Sequence, residues 1–401
     1  MKKTLIAVAA LSAMAASAMA ANVTVYGLID TGFNYQYKKV GDTKGVNSFT
    51  MATGQNSGSR LGFKGVEELG NGMKVGFVLE NGFKSDTGAD DDASLAFRRE
   101  ANLYVTTDFG TLSLARVGSL TSTAGSYNLA KYAPFGGGWG DATAKQADFM
   151  LGDRARMDNT VTYVSPSFAG VKAYAQYSFQ QTGKEAAGNE RQNNRYAGIG
   201  LSYDLGAFST ALVVDSVLNK TAKTGNQKDS LGVTWGASYD FGVAKLFAQA
   251  QYGTHENALG FKTSHWDKGT KVKTNTKYED DYLKVLSHEG LKGYGISLGM
   301  TAPVAGGTVY AQANYLDSKT NSDVVYEAAK AGETMVESGK GKLETKNWGA
   351  AVGYAYPFSK RTSVYTFASY SQLKFTGTEG IYSKSEKTKK TEVGVGLIHK
   401  F

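Results

Sequence analysis

The stretch TEVGVGLIHKF, Thr391–Phe401, closes the chain. Val393, Val395, Leu397 and Phe401 fall on one face of an extended segment, with Gly394, Gly396 and Lys400 on the other. A period of two marks a strand whose faces meet different surroundings, whereas a helix would scatter these residues around its surface. The opposite end of the chain indicates where such a strand goes. Lys2 and Lys3, an apolar run from Leu5 to Ala16, and Ala18-Met19-Ala20 read as a secretory signal cleaved after Ala20, leaving 401 − 20 = 381 residues. That run is shorter than the roughly 20 apolar residues of a spanning helix. An exported β chain ending on an aromatic residue points to a barrel in an outer membrane.

Composition agrees with this reading. Mean hydropathy is −0.31, and no later segment reaches about 18 consecutive apolar residues, so helical spans are not expected. The absence of cysteine removes disulfides, thiolate metal sites and thiol nucleophiles together. With 49 glycines, 24 tyrosines and four prolines, the chain suits short strands joined by tight turns. Net charge is +8, or +6 without Lys2 and Lys3. A basic chain often meets nucleic acid, but export argues against that partner, and the lysines cluster in loop-like segments.

Seven short turns punctuate the chain, at Gly70 to Gly72, Asp108 to Gly110, Ser165 to Gly170, Asp204 to Gly206, Asp240 to Gly242, Pro303 to Gly307 and Pro357 to Arg361. Alternating segments flank them. Val23, Val25, Ile29, Phe33 and Tyr35 oppose Thr24, Asp30, Asn34 and Gln36, and Val309, Ala311, Ala313 and Tyr315 oppose Gln312 and Asn314. Seven turns join fourteen strands, and one more at each terminus makes sixteen. An even count permits closure with both termini on one side. Eight longer polar segments lie between the turns, near 38–56, 85–94, 119–153, 183–191, 219–229, 255–291, 319–343 and 374–389. The expected fold is therefore all-β: a 16-stranded antiparallel transmembrane β-barrel with short periplasmic turns and long extracellular loops. A secreted sandwich or propeller would show more aliphatic residues on its inner face, and no face rich in Gln, Asn, Lys and Arg. The terminal strand should pair with Asn22 to Tyr37 so that no edge is left in lipid.

A barrel with a polar inner face holds water, so function should reside where the lumen narrows. Segment 119–153, carrying Pro134, Gly136, Gly137, Gly138 and Trp139, is the candidate for a loop folded inward, although an ordinary surface loop is also possible. Several stretches here resemble the Gram-negative general porins, especially the trimeric porins of β-proteobacteria: VTVYGLIDTGF (Val23 to Phe33), SRLGFKGVEELGNGMK (Ser59 to Lys74), FVLENGF (Phe77 to Phe83), RMDNTVTYVSPSFAG (Arg156 to Gly170) and GLIHKF (Gly396 to Phe401). The resemblance implies a homotrimer whose third long loop folds inward as a constriction. It also implies an outer-membrane setting among lipids and lipopolysaccharide, passive passage of small hydrophilic solutes and ions, and a terminal Phe401 read by the barrel-assembly machinery.

The family's basic ladder carries over to Arg60, Arg156 and Arg99, with Arg98 beside Arg99 leaving the register open between them. Alternation sets Arg60 and Lys64 against outward Leu61 and Phe63, and sets Arg156, Asp158 and Thr160 against Met157, Val161 and Tyr163. Asp141, Asp148 and Asp153 are the expected acids on the loop side, and Arg116 and Arg154 are possible additions to the wall. Basic and acidic groups facing across a pore create a transverse field. The expectation is a channel with a weak anion preference, without catalysis or cofactor. Asp90, Asp91 and Asp92 lack the alternating ligand spacing of a calcium loop, and His255, His265, His288 and His399 have no paired spacing for zinc. A serine hydrolase would need a histidine on the barrel wall, and His399 shares the outward face with Leu397 and Phe401. An adhesin or phage-receptor role for the long loops is compatible with a channel.

Overall fold

The computed structural model describes residues 23–136, 139, 145–152, 156–185, 193–219, 228–256, 272–273, 282–287, 289–329, 336–378 and 385–401. Its strands are β1 (Thr24–Val40), β2 (Val46–Thr53), β3 (Arg60–Gly70), β4 (Met73–Gly82), β5 (Glu100–Thr107), β6 (Gly110–Gly118) and β7 (Arg156–Val164). There follow β8 (Val171–Ser178), β9 (Arg195–Leu205), β10 (Phe208–Leu218), β11 (Leu231–Asp240), β12 (Lys245–Glu256), β13 (Val272–Lys273) and β14 (Tyr282–Ser287). The last are β15 (Leu291–Val304), β16 (Gly307–Thr320), β17 (Val324–Ala329), β18 (Val336–Pro357), β19 (Thr362–Thr378) and β20 (Ser385–Lys400). β2 and β3 form one stave, pairing with the outer and inner parts of β1 respectively. The short β13, β14 and β17 pair with one another and with the outer end of β18, leaving 20 − 1 − 3 = 16 antiparallel staves.

All seven expected turns join neighbouring staves at one rim. In the first, Asn71 and Gly72 both have positive φ, 49° and 76°, which matches the twist of the flanking strands. The two chain ends meet. β1 and β20 pair from Leu28↔Lys400 to Val40↔Thr388, and Gly27 and Phe401 exchange both backbone hydrogen bonds at 3.1 Å. No edge remains for lipid to strip of hydrogen-bond partners.

Burial is inverted relative to a water-soluble fold. Phe33, Leu103, Leu114, Ile199, Leu298 and Val395 are exposed, whereas Asp30, Ser113, Thr162, Gln176, Gln312 and Glu392 are buried. Lipid faces the first set and the lumen holds the second, which is why the chain alternates.

The loops depart from expectation at the other rim. Segment 38–56 is a hairpin, with β1 running to Val40 and β2 starting at Val46; likewise β19 reaches Thr378 and β20 begins at Ser385 within segment 374–389. β2 is exposed on both faces over most of its length. Above the membrane both sides meet water, so nothing imposes a period of two and such strands resemble loops in sequence.

A second correction concerns Met157. Expected to face outward, it is 4% exposed in a cluster with Tyr196 and Val217. Asn159 adopts φ 50°, and the β6–β7 register shifts there, pairing Ala115 with Thr160 but Val117 with Met157. One extra residue turns Met157 and Asp158 over, while Arg156, the first residue of β7, still reaches the Arg99 carbonyl, and Val161 and Tyr163 keep their expected side.

The seam has a steric signature. A Cβ on Gly27 would lie 2.5 Å from both the Phe401 ring and the Arg60 carbonyl, so the terminal ring occupies the space that this glycine leaves free. Gly27→Val and deletion of Phe401 should each lower the yield of folded, heat-modifiable barrel, while the molecules that do insert conduct normally. Wild-type assembly of both variants, measured by electrophoretic mobility shift, would show that Phe401 is only a strand end.

Candidate functional site

The lumen narrows by two inward devices. The first is the break between β2 and β3. Asp30, on β1 and fully buried, accepts hydrogen bonds from the backbone N–H of Asn56 at 2.8 Å and of Ser57 at 2.7 Å through Oδ2, and from the Tyr365 hydroxyl at 2.7 Å through Oδ1. These bonds fold residues 54–59 into the barrel. Asn34 Nδ2 secures the same turn by donating to Gln55 Oε1 at 3.0 Å and to Glu392 Oε1 at 2.7 Å.

The second is segment 119–153, whose described residues cross the inner wall instead of standing above the rim. The Leu120 N–H donates to Gln176 Oε1 at 3.0 Å, and Thr121 donates to Asp215 Oδ2 at 2.6 Å. Further along, the Phe135 N–H reaches Gln312 Oε1 at 2.8 Å and the Leu151 N–H reaches Gln251 Oε1 at 2.7 Å. Side chains of β8, β16 and β12 thus satisfy loop backbone that would otherwise be stranded away from water, and Asp215 of β10 holds the Thr121 hydroxyl.

Glycines on the wall make room for this path. A Cβ at Gly236 would stand 2.3 Å from the Tyr132 ring, one at Gly299 2.4 Å from Pro134, and one at Gly349 2.8 Å from Phe149. Phe135, Trp139, Phe149 and Leu151 join Leu316, Tyr365 and Phe367 in a buried apolar cluster. Trp139 stands edge-on to Tyr310, Tyr365 and Phe367 at centroid distances of 5.3, 5.4 and 5.7 Å, and its backbone N–H donates to the Asn56 carbonyl. That bond joins the two inward devices.

The basic residues collect on β3, the β5 approach and β7. Arg99 Nε donates to Glu80 Oε1 at 2.6 Å, and the same carboxylate lies 3.8 Å from Arg60 Nη1. Arg60 is further held by Gly58 O at 2.9 Å and Ser57 Oγ at 2.7 Å, and Arg156 Nε donates to the Arg99 carbonyl. Tyr26 donates to Glu80 Oε2 at 3.1 Å, and Lys64 Nζ lies 5.3 Å from the centroid of the Tyr26 ring. Between the two candidates for the third rung, Arg99 joins Glu80, and Arg98 turns toward Asp91 at 3.9 Å.

Other expected members are placed apart. Arg116 is paired with Asp158 and donates to the Arg98 carbonyl. Its neighbour Val117 is buried on the lumenal side beneath Gly125, so strand alternation turns Arg116 the other way. Asp148 sits in the short 3-10 turn Gln146–Phe149, beside Lys145 at 3.8 Å and with its carbonyl accepting from Asn347. Asp141, Asp153 and Arg154 lie outside the described residues, as does the expected signal, 1–20. Of the discounted acids, Asp90 accepts from Asn81 at 3.1 Å and Asp92 from Ser94 at 2.6 Å.

Two acids next to the arginines were not singled out in the sequence. Glu80 lies on the inward parity of FVLENGF, directly across from Gly62 and Glu100. Glu100 is buried and accepts from Ser126 of the inward loop at 2.5 Å and from Asn102 at 3.1 Å. Their signal is an ionisable residue on an inward strand position near the arginines of neighbouring strands.

Comparison with known proteins places this architecture. A model of the Gram-negative porins matches residues 7–376. An outer membrane porin of Bordetella pertussis is 29% identical, and one of Delftia acidovorans 30% identical, each alignment covering 100% of both chains. The solved anion-selective porin from Comamonas acidovorans is 26% identical and superposes with a TM-score of 0.63 over 95% of this chain and 100% of its own. A closed sixteen-stave barrel, lipid-facing apolar residues, a lumen-crossing loop and a match over most of the length lead to one conclusion: the chain belongs to the Gram-negative porin family and forms an outer-membrane β-barrel channel.

Proposed function

We propose that the barrel is a general diffusion channel whose narrowest section lies between segment 119–153 and the group Arg60, Arg99 and Arg156, with a weak preference for anions. The observation that carries this reading is the shared carboxylate, Glu80, between Arg60 and Arg99. Three guanidiniums stand with two carboxylates, Glu80 and Glu100, a difference of 3 − 2 = +1. Such a wall attracts anions without trapping them, because part of its field is already neutralised locally. Lys64 adds to it further toward the turns. Loop lysines act on approach and are screened beyond about 8 Å at physiological salt.

In the same reading residues 1–20 direct export and are removed, residues 21–401 form the working barrel, and three copies associate, as the resemblance to the trimeric porins implies. The assembly machinery would recognise Phe401. Passage is physical sieving, so no side chain is assigned a catalytic role and no cofactor is required. Asp141, Asp148 and Asp153 remain the acids through which the loop would oppose the wall. Arg98 and Arg116, each next to an acid, would contribute less than Arg60, Arg99 and Arg156.

Reconstitution into planar bilayers should give stepwise conductance; a folded, inserted barrel that stays silent would defeat the channel reading. In a salt gradient, Arg60→Glu should move the zero-current potential toward cations, and an unchanged potential would remove Arg60 from the narrow section. Trp139→Ala should free the loop tip by removing packing worth on the order of 3 kcal/mol. Conductance steps would then be larger and noisier; steps identical to wild type would show that the tip does not set the aperture.

A further inference from the structure

The carboxylate of Asp30 is 0% exposed, so no permeating ion reaches it, yet both sides of the narrow section lie one residue beyond its hydrogen bonds. Asn56 and Ser57 present successive backbone N–H groups to Oδ2, a concave arrangement suited to a negative charge. Without such partners a buried carboxylate is costly. The ends of the same turn are tied separately, since the Gly54 N–H donates to the Asp30 carbonyl at 2.9 Å and the Asp30 N–H donates to Ser59 Oγ at 3.0 Å. The side chain therefore controls only the middle of the turn.

That middle carries two loads. Ser57 Oγ and the Gly58 carbonyl accept from Arg60, holding its guanidinium 3.8 Å from Glu80 instead of against it. The Asn56 carbonyl accepts the backbone N–H of Trp139. Tyr365, the third donor to Asp30, also stands edge-on to the Trp139 ring at 5.4 Å. Asp30, Asn56, Trp139 and Tyr365 thus form a closed circuit of contacts, and Arg60 hangs from the next two residues of the turn. A Cβ on Gly58 would lie 2.8 Å from Arg99 Nη1, so the turn has no slack toward the second arginine.

We propose that Asp30 is a positioning residue of the pore, fixing the direction of Arg60 and the seat of the Trp139 tip together through the middle of turn 54–59. Ion preference and aperture are then coupled, because one buried side chain sets both. With the middle of the turn released, Glu80 is the acceptor left beside Arg60, and the guanidinium closes onto it and neutralises its own field. The inference rests on the reading of Arg60 and segment 119–153 as the narrow section.

The test uses full barrels in planar bilayers under a potassium chloride gradient, with heat-modifiable mobility read on the same samples. Asp30→Ala should move the zero-current potential toward cations and give larger, noisier steps. Ser57→Ala, which removes the hydroxyl partner of Arg60, should shift the potential on its own but add nothing in the Asp30→Ala background. Asp30→Asn should behave as wild type, because its Oδ1 can accept from Asn56 and Ser57 while its Nδ2 donates to a Tyr365 hydroxyl turned acceptor. Wild-type potential and steps in Asp30→Ala would overturn the proposal. So would a shift toward anions in Asp30→Asn, which would make the charge itself the agent, or an equal effect of Ser57→Ala in both backgrounds. If the alanine variant does not insert, Asp30→Ser, whose hydroxyl is too short to serve all three donors, takes its place with the same expectation. Failure of both to insert would overturn the proposal in favour of a role in closing the barrel. An unchanged potential in Arg60→Glu would defeat the arginine reading itself, whereas a shift there with none in Asp30→Ala would defeat this inference alone.

Discussion

Hydrocarbon offers a peptide group no hydrogen-bond partner, and each unsatisfied group left there costs several kcal/mol. Everything else in this molecule is subordinate to that constraint. It requires the sheet to have no edge, so the first and last strands must meet, which they do from Leu28↔Lys400 outward and through the reciprocal bonds of Gly27 and Phe401. Closure in turn forces one face of every stave toward lipid and the other toward a common interior. The interior is then polar by default, and its filling becomes the functional question.

The same accounting applies inside. A loop led across the lumen must find partners for its own N–H and C=O groups, and Gln176, Gln251 and Gln312 supply them from three different staves. Apolar side chains of that loop must also be covered, and they are, by Leu316, Tyr365 and Phe367 on the inner wall. A porin lumen might be pictured as uniformly wet. Here a substantial part of it is a small hydrophobic core, seated where glycines leave the wall bare.

How much of this was legible varied with the physics. Strands within the membrane wrote themselves plainly, as in Val393, Val395 and Leu397 against Gly394 and Gly396, because lipid and lumen impose opposite chemistry on alternate residues. Beyond the rim that contrast ends, and β2 and the outer parts of β19 and β20 were read as loop. Met157 was misplaced for a different reason. A single bulge residue, Asn159 at φ 50°, inverts the parity of Met157 and Asp158, and nothing in the local composition announces it. Among charged groups, the arginines were found by their stretches, but Glu80 and Glu100 passed unnoticed. Their importance arises only when neighbouring staves bring them beside guanidiniums.

Alone, then, the sequence determined that the chain is a closed barrel of sixteen staves with its seven tight turns on one rim, because those features are imposed position by position by membrane and backbone. It also determined which stretches would carry the arginines. Only the tertiary structure decided what those arginines face, how segment 119–153 is seated, and why Asp30 matters. These depend on contacts such as Asp30 with Tyr365, 335 residues apart. Local alternation carries no information about a partner that closure alone brings within reach.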